Sequence, residues 1–330
     1  MTRRSLQVLA AVVTGLVLLL IVLQSTDDGD GTTRRLLLPG FDAVANDATE
    51  IRILGADDAG TVTIRRAEQR WVVAERAGYP ADIGKLRQLI IALAEAEVVE
   101  EKTSNPEHYA RLGVDSPADG GAGSLLTVAG PGHSFAVILG NTAQGRYRYV
   151  RVADQPVTLL IDRNPEVPSA ASDWLQPDIL DIGSARIQQV SILHADGESI
   201  VLRKQDAEQD NFDVLDVPDG RELSYPAVGN GIAAVLANLQ LDDVRPSVDA
   251  APSATATFDT WDGLMITAAV VTDGDTSWIA FAAASGEGES PVADEAAAIN
   301  ARVQNWQYRL PDYKKNLFVR RWDDLLKAAD

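Results

Sequence analysis

Two clusters combine basic and aromatic side chains, the mixture most often found at binding hot spots. One lies on a predicted strand. The other lies in residues 300–330, which contain seven basic and four acidic residues. Such surfaces suit a protein partner, lipid headgroups or an anionic glycan. Alternatively, the aromatic residues form core and the basic residues balance nearby acids. The candidate interaction patch comprises Arg146, Tyr147, Arg148, Tyr149, Arg151, Trp306, Tyr308, Arg309, Arg320, Arg321 and Trp322.

Catalytic chemistry has little support in the motifs. His108, His133 and His194 lack zinc-ligand spacing and lie near no Gly-x-Ser-x-Gly motif. Cysteine is absent, which excludes disulfides, thiolate metal sites and cysteine nucleophiles. The stretch Gly140–Arg146 lacks the Lys-Ser/Thr pair of a phosphate-binding loop, so we interpret it as a hairpin turn. We predict a non-enzymatic protein with no catalytic, cofactor-binding or metal-binding residues.

Carboxylates cluster after the first predicted helix, at Glu95, Glu97, Glu100 and Glu101. They suit a divalent cation or a basic partner, but a charge run is more often a solvated face, which we favour. A hydrolase that uses two carboxylates would need acids with separated pKa values in one pocket, a geometry that sequence does not reveal.

The N-terminus is typical of a membrane anchor. Arg3 and Arg4 precede the apolar run Leu6–Leu23, which spans ~27 Å as a helix, close to the ~30 Å bilayer core. The run is longer than the apolar region of a secretory signal and ends without a small-x-small site, so we predict an uncleaved anchor. Despite Arg34 and Arg35 beyond the span, we expect the N-terminus inside and a periplasmic or extracellular body on the inner membrane.

Composition limits the partners of the body. The chain has 330 residues, 46% of them hydrophobic, which allows one large or two ordinary globular domains after the anchor. The net charge of −19 repels nucleic acid, so we predict no nucleic-acid partner.

Two segments of the body share one pattern. Tyr79-Pro80-Ala81 and Tyr225-Pro226-Ala227 each lead into a predicted helix. The apolar residues of the two helices follow i, i+3, i+4, i+7 spacing at one constant offset of 146: Leu86, Leu89, Ile90 and Leu93, then Ile232, Val235, Leu236 and Leu239. The chain therefore divides into an anchor (1–26), a tether and lead-in segment (27–46), a first repeat (47–183) and a second repeat (184–330).

Alternating residues predict strands around both helices. In the first repeat these are Glu50–Ile53, Thr61–Arg65, Trp71–Val73, Ser124–Val128, Ser134–Leu139 and Arg146–Val152. In the second they are Gln189–Ile192, Ser199–Arg203, Phe212–Val214, Leu264–Val271 and Ser277–Ala282, and Ser285–Glu295 is predicted as an exposed loop. The fold class is α+β: an N-terminal transmembrane helix followed by two tandem β-rich repeats, each with one main helix on a mostly antiparallel sheet.

The order of several short motifs resembles the domain-of-unknown-function family numbered 4340. The motifs are Leu37–Phe41, Trp71–Val73, Tyr79–Asp82, Leu112-Gly113-Val114-Asp115-Ser116-Pro117, Leu139-Gly140 and Arg146–Arg151. The resemblance covers roughly residues 36–325. It implies one N-terminal span and, for many such proteins, association with ABC-type transport systems of the gliding-motility kind. It supplies no activity and no catalytic residues.

These observations favour an anchored accessory or scaffold subunit of a membrane complex. The expected partners are the bilayer, through Leu6–Leu23, and an integral membrane protein such as an ABC-type permease. The alternative is a ligand-binding module that uses the cleft between the two repeats, with an anionic lipid or glycan as ligand.

Overall fold

The computed structural model describes residues 35–56, 60–286 and 290–328. These residues form mostly antiparallel β-sheet with a few helices. The predicted anchor Leu6–Leu23 and the first part of the tether lie outside the described residues. Among the described helices, none has the length and apolar character needed to cross a bilayer.

The first sheet is built from the N-terminal part of the body. Its nine strands are β1 (Glu50–Leu54), β2 (Thr61–Ala67), β3 (Arg70–Val73), β4 (Tyr79–Pro80), β5 (Val98–Thr103), β6 (Ser124–Gly130), β7 (His133–Ala143), β8 (Tyr147–Val152) and β9 (Thr158–Ile161). They lie in the order β4-β3-β2-β1-β6-β7-β8-β9-β5. Ile51 and Ile53 alternate with more exposed residues in β1, which gives the sheet one buried face.

The C-terminal part forms a second large sheet. The remaining strands are β10 (Asp178–Leu180), β11 (Ile187–His194), β12 (Ser199–Arg203), β13 (Asp213–Leu215), β14 (Leu239–Gln240), β15 (Asp243–Pro246), β16 (Ala254–Thr260), β17 (Leu264–Asp273), β18 (Thr276–Ser285) and β19 (Trp306–Arg309). Eight of them lie in the order β13-β12-β11-β16-β17-β18-β19-β15, and β10 pairs with β14. Ala256 and Phe258 alternate inward along β16.

The two large sheets have the same strand order. From β3 to β5 the first sheet runs 3-2-1-6-7-8-9-5, and each label in the second sheet is ten higher. In both sheets the strand that follows the helical region, β5 or β15, lies at the far edge beside the last strand. Only β4 lacks a counterpart in the second large sheet.

The helices are short apart from two. They are α1 (Phe41–Asn46), α2 (Ile83–Ala94), α3 (Tyr109–Leu112), α4 (Asn230–Ala233), α5 (Pro291–Val303), α6 (Asp312–Phe318) and α7 (Trp322–Leu325). The predicted first helix is confirmed as α2. The Asp82 side chain caps it by accepting from the Lys85 N–H at 3.1 Å, and Leu86, Leu89 and Leu93 are buried.

The predicted second helix is wrong in its length, because α4 ends after four residues. Its apolar side chains Ile232, Val235 and Leu236 are buried as predicted, but only Ile232 lies in α4, whereas turns after Ala233 carry Val235 and Leu236 inward. Gly229 and Gly231 weaken helix formation there. Asn238 then adopts φ 45°, and the chain turns into β14.

The predicted loop Ser285–Glu295 is also wrong in part, because α5 begins at Pro291. The Ser290 hydroxyl accepts from the Ala293 N–H at 3.2 Å, and the proline occupies the first turn, where it costs no hydrogen bond. Ala296, Ile299 and Val303 are buried. Alanine carries a weak apolar signal, which hid this amphipathic helix.

Two of the short motifs pack against each other. A Cβ atom on Gly140 would lie 2.4 Å from the Leu112 carbonyl oxygen, so only glycine fits at this contact. The amide of Asn141 donates to the Arg111 carbonyl at 3.2 Å. The predicted turn Gly140–Gly145 starts too early, because β7 continues to Ala143 with an irregularity between Leu139 and Thr142.

One continuous hydrophobic core runs from Leu37 to Leu325 and includes both sheets. The two sheets are also joined by an ion pair between Arg76, which follows β3, and Asp243 in β15. Two guanidinium nitrogens lie 2.5 and 3.0 Å from the two carboxylate oxygens. The Asp243 side chain is 14% exposed. Strand β10 lies at the end of the predicted first repeat but pairs with β14 of the second repeat. The division at residue 183 stays a prediction.

Candidate functional site: a groove where the two sheets meet

Arg148, on strand β8 of the predicted patch, is held by the protein itself. Its guanidinium donates to the Gly140 carbonyl at 3.0 Å and to the Pro165 carbonyl at 2.6 Å. Burial lowers the pKa of Arg148, although an arginine stays charged at neutral pH. The side chain therefore fastens the β7–β8 hairpin to the segment after β9.

Arg151 has a similar structural role. It donates to the Val114 carbonyl at 3.0 Å and its guanidinium lies 4.7 Å from the ring centre of Tyr109. Tyr149 packs with the same small cluster. Of the β8 part of the patch, Arg146 is exposed and stacks at 4.4 Å over Tyr147. Arg146 is therefore the one fully exposed side chain of this group, and the other four are half-buried.

The basic C-terminal residues of the patch fasten a neighbouring hairpin. Arg321 forms ion pairs with Asp196, at 2.9 Å, and with Glu198. The Trp322 N–H donates to Glu198 at 2.7 Å. Arg320 pairs with Asp324 at 3.5 Å. These contacts hold the end of the chain against the turn between β11 and β12.

Trp306, Tyr308 and Arg309 belong to β19 and have three different environments. Tyr308 is buried, 1% exposed, whereas Arg309 is exposed. Trp306 is half-buried and lies edge-on to Tyr79 of the first sheet, with ring centres 5.0 Å apart. The residues of the predicted patch therefore lie in separate places, and two residues of β19, Trp306 and Tyr308, line a groove between the sheets.

That site is a groove of about 420 Å³ between the two sheets. The first sheet contributes the end of the β2–β3 hairpin and Tyr79, and the second contributes the end of α5 with Trp306 and Tyr308. The volume lies in the usual range for small-molecule sites, which also occur preferentially between structural units. The groove lies between the two sheets, which is where the cleft between the repeats was expected.

Two phenols form the inner part of the groove. Tyr79 and Tyr308 have ring centres 6.2 Å apart and are 5% and 1% exposed. Burial raises the pKa of Tyr79 to about 12 and also raises the pKa of Tyr308. The positive charge of Arg302 lowers the pKa of both phenols, but by less than burial raises it. Both tyrosines are therefore neutral at pH 7, and their rings lie almost wholly below the surface of the groove.

The polar lining of the groove is balanced in charge. Arg70 and Arg302 supply two positive charges, and Glu68 and Asp178 supply two negative ones. Asp178 accepts from the Gln240 amide at 2.9 Å. Within the described residues, neither guanidinium has a hydrogen-bond or ion-pair partner. The groove thus combines aromatic rings with unused hydrogen-bond donors.

The other candidates for chemistry lie apart from the groove. His194 is buried, and one ring nitrogen lies 2.9 Å from the Arg320 carbonyl oxygen, whereas His108 and His133 are exposed. Across residues 35–56, 60–286 and 290–328, no cluster of three His, Cys, Asp or Glu side chains could hold a metal ion.

The acidic cluster after α2 is largely engaged in ion pairs. Glu95 pairs with Arg163 at 3.0 Å, and Glu101 pairs with Arg35 at 2.6 Å. Glu100 pairs with Lys102 in the same strand at 2.5 Å. This arrangement fits the solvated acidic face that we favoured over a cation site.

Sequence reasoning missed the groove residues outside β19. Tyr79 appeared only as part of the motif before a helix, and Arg302 only as one of many basic residues. The two matching tyrosines differ only in the folded structure: Tyr79 is 5% exposed, whereas Tyr225 is 57% exposed. Sequence alone shows the same tyrosine-proline-alanine motif at both positions.

The described residues form a β-rich protein with two large antiparallel sheets, a few helices and a groove where the two sheets meet. A family model described as Domain of unknown function (DUF4340) matches residues 71–260, more than half of the chain. The chain belongs to this family. No curated protein and no solved structure matches it.

Proposed function

We propose that the chain is a non-enzymatic, membrane-anchored envelope protein that serves as an accessory or scaffold subunit of a membrane complex. An ABC-type transporter, with its permease as direct partner, is the favoured complex. The protein would span the inner membrane once through Leu6–Leu23 and carry its body on the periplasmic or extracellular side. The observation that carries this proposal is one continuous core from Leu37 to Leu325, which makes a large body behind a short tether.

The tether supports an accessory role by keeping the body close to the membrane. Residues 27–34 reach at most about 28 Å when fully extended. A body confined to that distance has a high effective concentration toward a neighbouring membrane protein, so weak contacts suffice for assembly.

A pull-down in gentle detergent tests this proposal. The tagged full-length protein is purified from membranes, and the associated proteins are identified by mass spectrometry. The matched control replaces Leu6–Leu23 with an unrelated span of the same length, which keeps the tether. We expect a permease and an ATPase in fixed proportion with both proteins if the body makes the contacts. Recovery of the protein alone would contradict an accessory role.

We also infer that the two sheets are two copies of one duplicated unit. The identical strand order and the constant offset of 146 between the two apolar patterns support this inference. Expression of residues 177–330, which keeps β10 paired with β14, tests it, because a complete unit has its own sheet. A cooperative unfolding transition of that fragment is expected, and a fragment without one would count against two complete units.

The second candidate function is ligand binding in the groove, with an anionic lipid or a glycan as the ligand class. The specific observation that favours it is the pair of arginines, Arg70 and Arg302, which lack a hydrogen-bonded partner within the described residues. A thermal-shift screen with lipids and cell-wall fragments tests this function. Stabilisation by one ligand class supports it, and no stabilisation by any class contradicts it.

A further inference from the structure

We propose that the groove binds a short, uncharged glycan, in preference to an anionic ligand. This inference deepens the second candidate function and rests on it. The charge balance, the aromatic rings and the hydrogen-bonding groups of the groove support it.

Charge selects against an ionic ligand. Glu68 and Asp178 lie in the same groove as Arg70 and Arg302, so the lining has no net charge. An anion that approached the guanidinium groups would also approach two carboxylates, and the whole chain carries −19. A cation would meet two arginines that have no ion-pair partner within the described residues. Opposed charges of this kind disfavour both signs and favour a neutral ligand.

The aromatic residues suit a ligand with apolar faces. Trp306 is half-buried and edge-on to Tyr79 at 5.0 Å, and the Tyr308 ring lies behind them. The C–H faces of a sugar ring are apolar and flat, so they gain from burial against the part of the Trp306 indole that the fold leaves exposed. A purely apolar ligand, such as an acyl chain, would leave the charged groups of this groove without water or partners.

The polar residues supply both donors and acceptors, as hydroxyl groups require. Arg70 and Arg302 donate only, the carboxylate of Glu68 accepts only, and the amides of Gln176 and Asn305 do both. A sugar hydroxyl donates one hydrogen bond and accepts others, so neighbouring hydroxyls can satisfy this alternation. The volume of about 420 Å³ restricts the ligand to a short segment of a chain.

Fluorescence titration of the full-length protein tests the ligand class. The protein is kept in a detergent without a sugar headgroup, because a maltoside could compete for the groove. The uncharged probes are the N-acetylglucosamine trimer and maltotriose. The anionic probes are the hyaluronan tetrasaccharide and phosphatidylglycerol in mixed micelles with the same detergent.

Two pairs of variants locate the binding. Arg302→Gln removes a groove guanidinium, and Arg309→Gln makes the same change at an exposed arginine outside the groove. Trp306→Leu is compared with Trp278→Leu, since Trp278 lies outside the groove, stacked at 4.5 Å by Arg245. We expect saturable binding of an uncharged glycan that weakens at least about tenfold in Arg302→Gln, as loss of a charge-assisted hydrogen bond predicts. Arg309→Gln and Trp278→Leu should bind like the unmodified protein.

The other outcomes separate the two proposals. Stronger binding of an anionic probe, lost in Arg302→Gln, would overturn the uncharged ligand class and leave the ligand-binding function standing. Binding that neither Arg302→Gln nor Trp306→Leu changes would overturn the groove as the site. Failure of every probe to bind would overturn both this inference and the ligand-binding function. The Arg302 pair keeps the test valid if Trp306→Leu fails to fold.

Discussion

Strand β8 and the groove contain the same residue types but use them differently. In β8, the guanidinium groups of Arg148 and Arg151 donate to carbonyl groups of the protein at distances of 2.6–3.0 Å. In the groove, Arg70 and Arg302 have no such partners within the described residues. The β8 arginines therefore hold the fold, and the groove arginines keep their hydrogen-bonding capacity for something else.

The difference shows that composition alone does not identify a binding surface. An alternation of arginine and tyrosine along a strand resembles an interface hot spot, yet its donors are consumed by backbone carbonyls. What distinguishes the groove is that two arginines without hydrogen-bond partners in the described residues lie next to the half-buried Trp306. Each of the following predictions tests whether an arginine is consumed by the fold.

The largest effect is expected for Arg148→Gln. The shorter side chain leaves the Gly140 and Pro165 carbonyls without their donor, so the free energy of unfolding should fall by about 2 kcal/mol. Urea denaturation of the full-length protein measures this loss. Arg146→Gln is the control: exposed Arg146 stacks on the adjacent Tyr147 and donates to its hydroxyl, and its loss should change stability by less than about 0.5 kcal/mol. Equal losses in both variants would break the comparison within β8.

A slightly smaller effect is expected where the two sheets are fastened. Arg76→Gln removes both hydrogen bonds to Asp243, whose side chain is 14% exposed, and should cost about 1.5 kcal/mol. A double-mutant cycle with Asp243→Asn isolates the pairwise term. We expect the double variant to lose clearly less than the sum of the single variants. Strict additivity would mean that this pair does not fasten the sheets.

The third effect depends on pH and concerns Arg186, whose hydrogen bonds to Glu295 and Asp262 raise its own pKa. The same bonds hold the pKa of both carboxyl groups below their ordinary values. A lowered carboxyl pKa adds stability above the unfolded-state pKa, about 4, and that stability is lost as the pH falls below it.

Arg186→Met should therefore reduce stability at pH 7 and flatten its decline between about pH 5 and pH 3. Both carboxylates are more than one third exposed, so screening by water limits the loss to about 1 kcal/mol. Urea denaturation across this pH range measures it. Arg309→Met, which removes the same charge at an exposed position, should keep the slope of the unmodified protein. Identical slopes in both variants would show that Arg186 does not stabilise the carboxylates.

Local patterns were sufficient to predict most strands and the helix α2. In β1, alternating Ile51 and Ile53 mark the buried face, and Asp82 marks the start of α2. The lengths of α4 and α5 were not predictable in this way. The apolar spacing around Ile232 is compatible with successive turns as well as with a helix, and the alanines of α5 give little contrast between faces.

The groove was predictable only as a cleft between two similar units. Its residues come from positions as distant in sequence as Tyr79 and Trp306, and only the packing of the two sheets brings them together. Sequence also gives no sign that the guanidinium of Arg148 is hydrogen-bonded within the fold, because its acceptors are backbone carbonyls. Only the hydrogen-bond partners seen in the folded structure show which arginines are available to bind a ligand.

The most direct test of this comparison is the stability of the double variant Arg70→Gln/Arg302→Gln in the full-length protein. If the groove arginines hold nothing in the fold, urea denaturation should give a free energy of unfolding within about 0.5 kcal/mol of the unmodified protein. A loss of about 2 kcal/mol, similar to that expected for Arg148→Gln, would contradict the account. The groove arginines would then be structural, as those of β8 are.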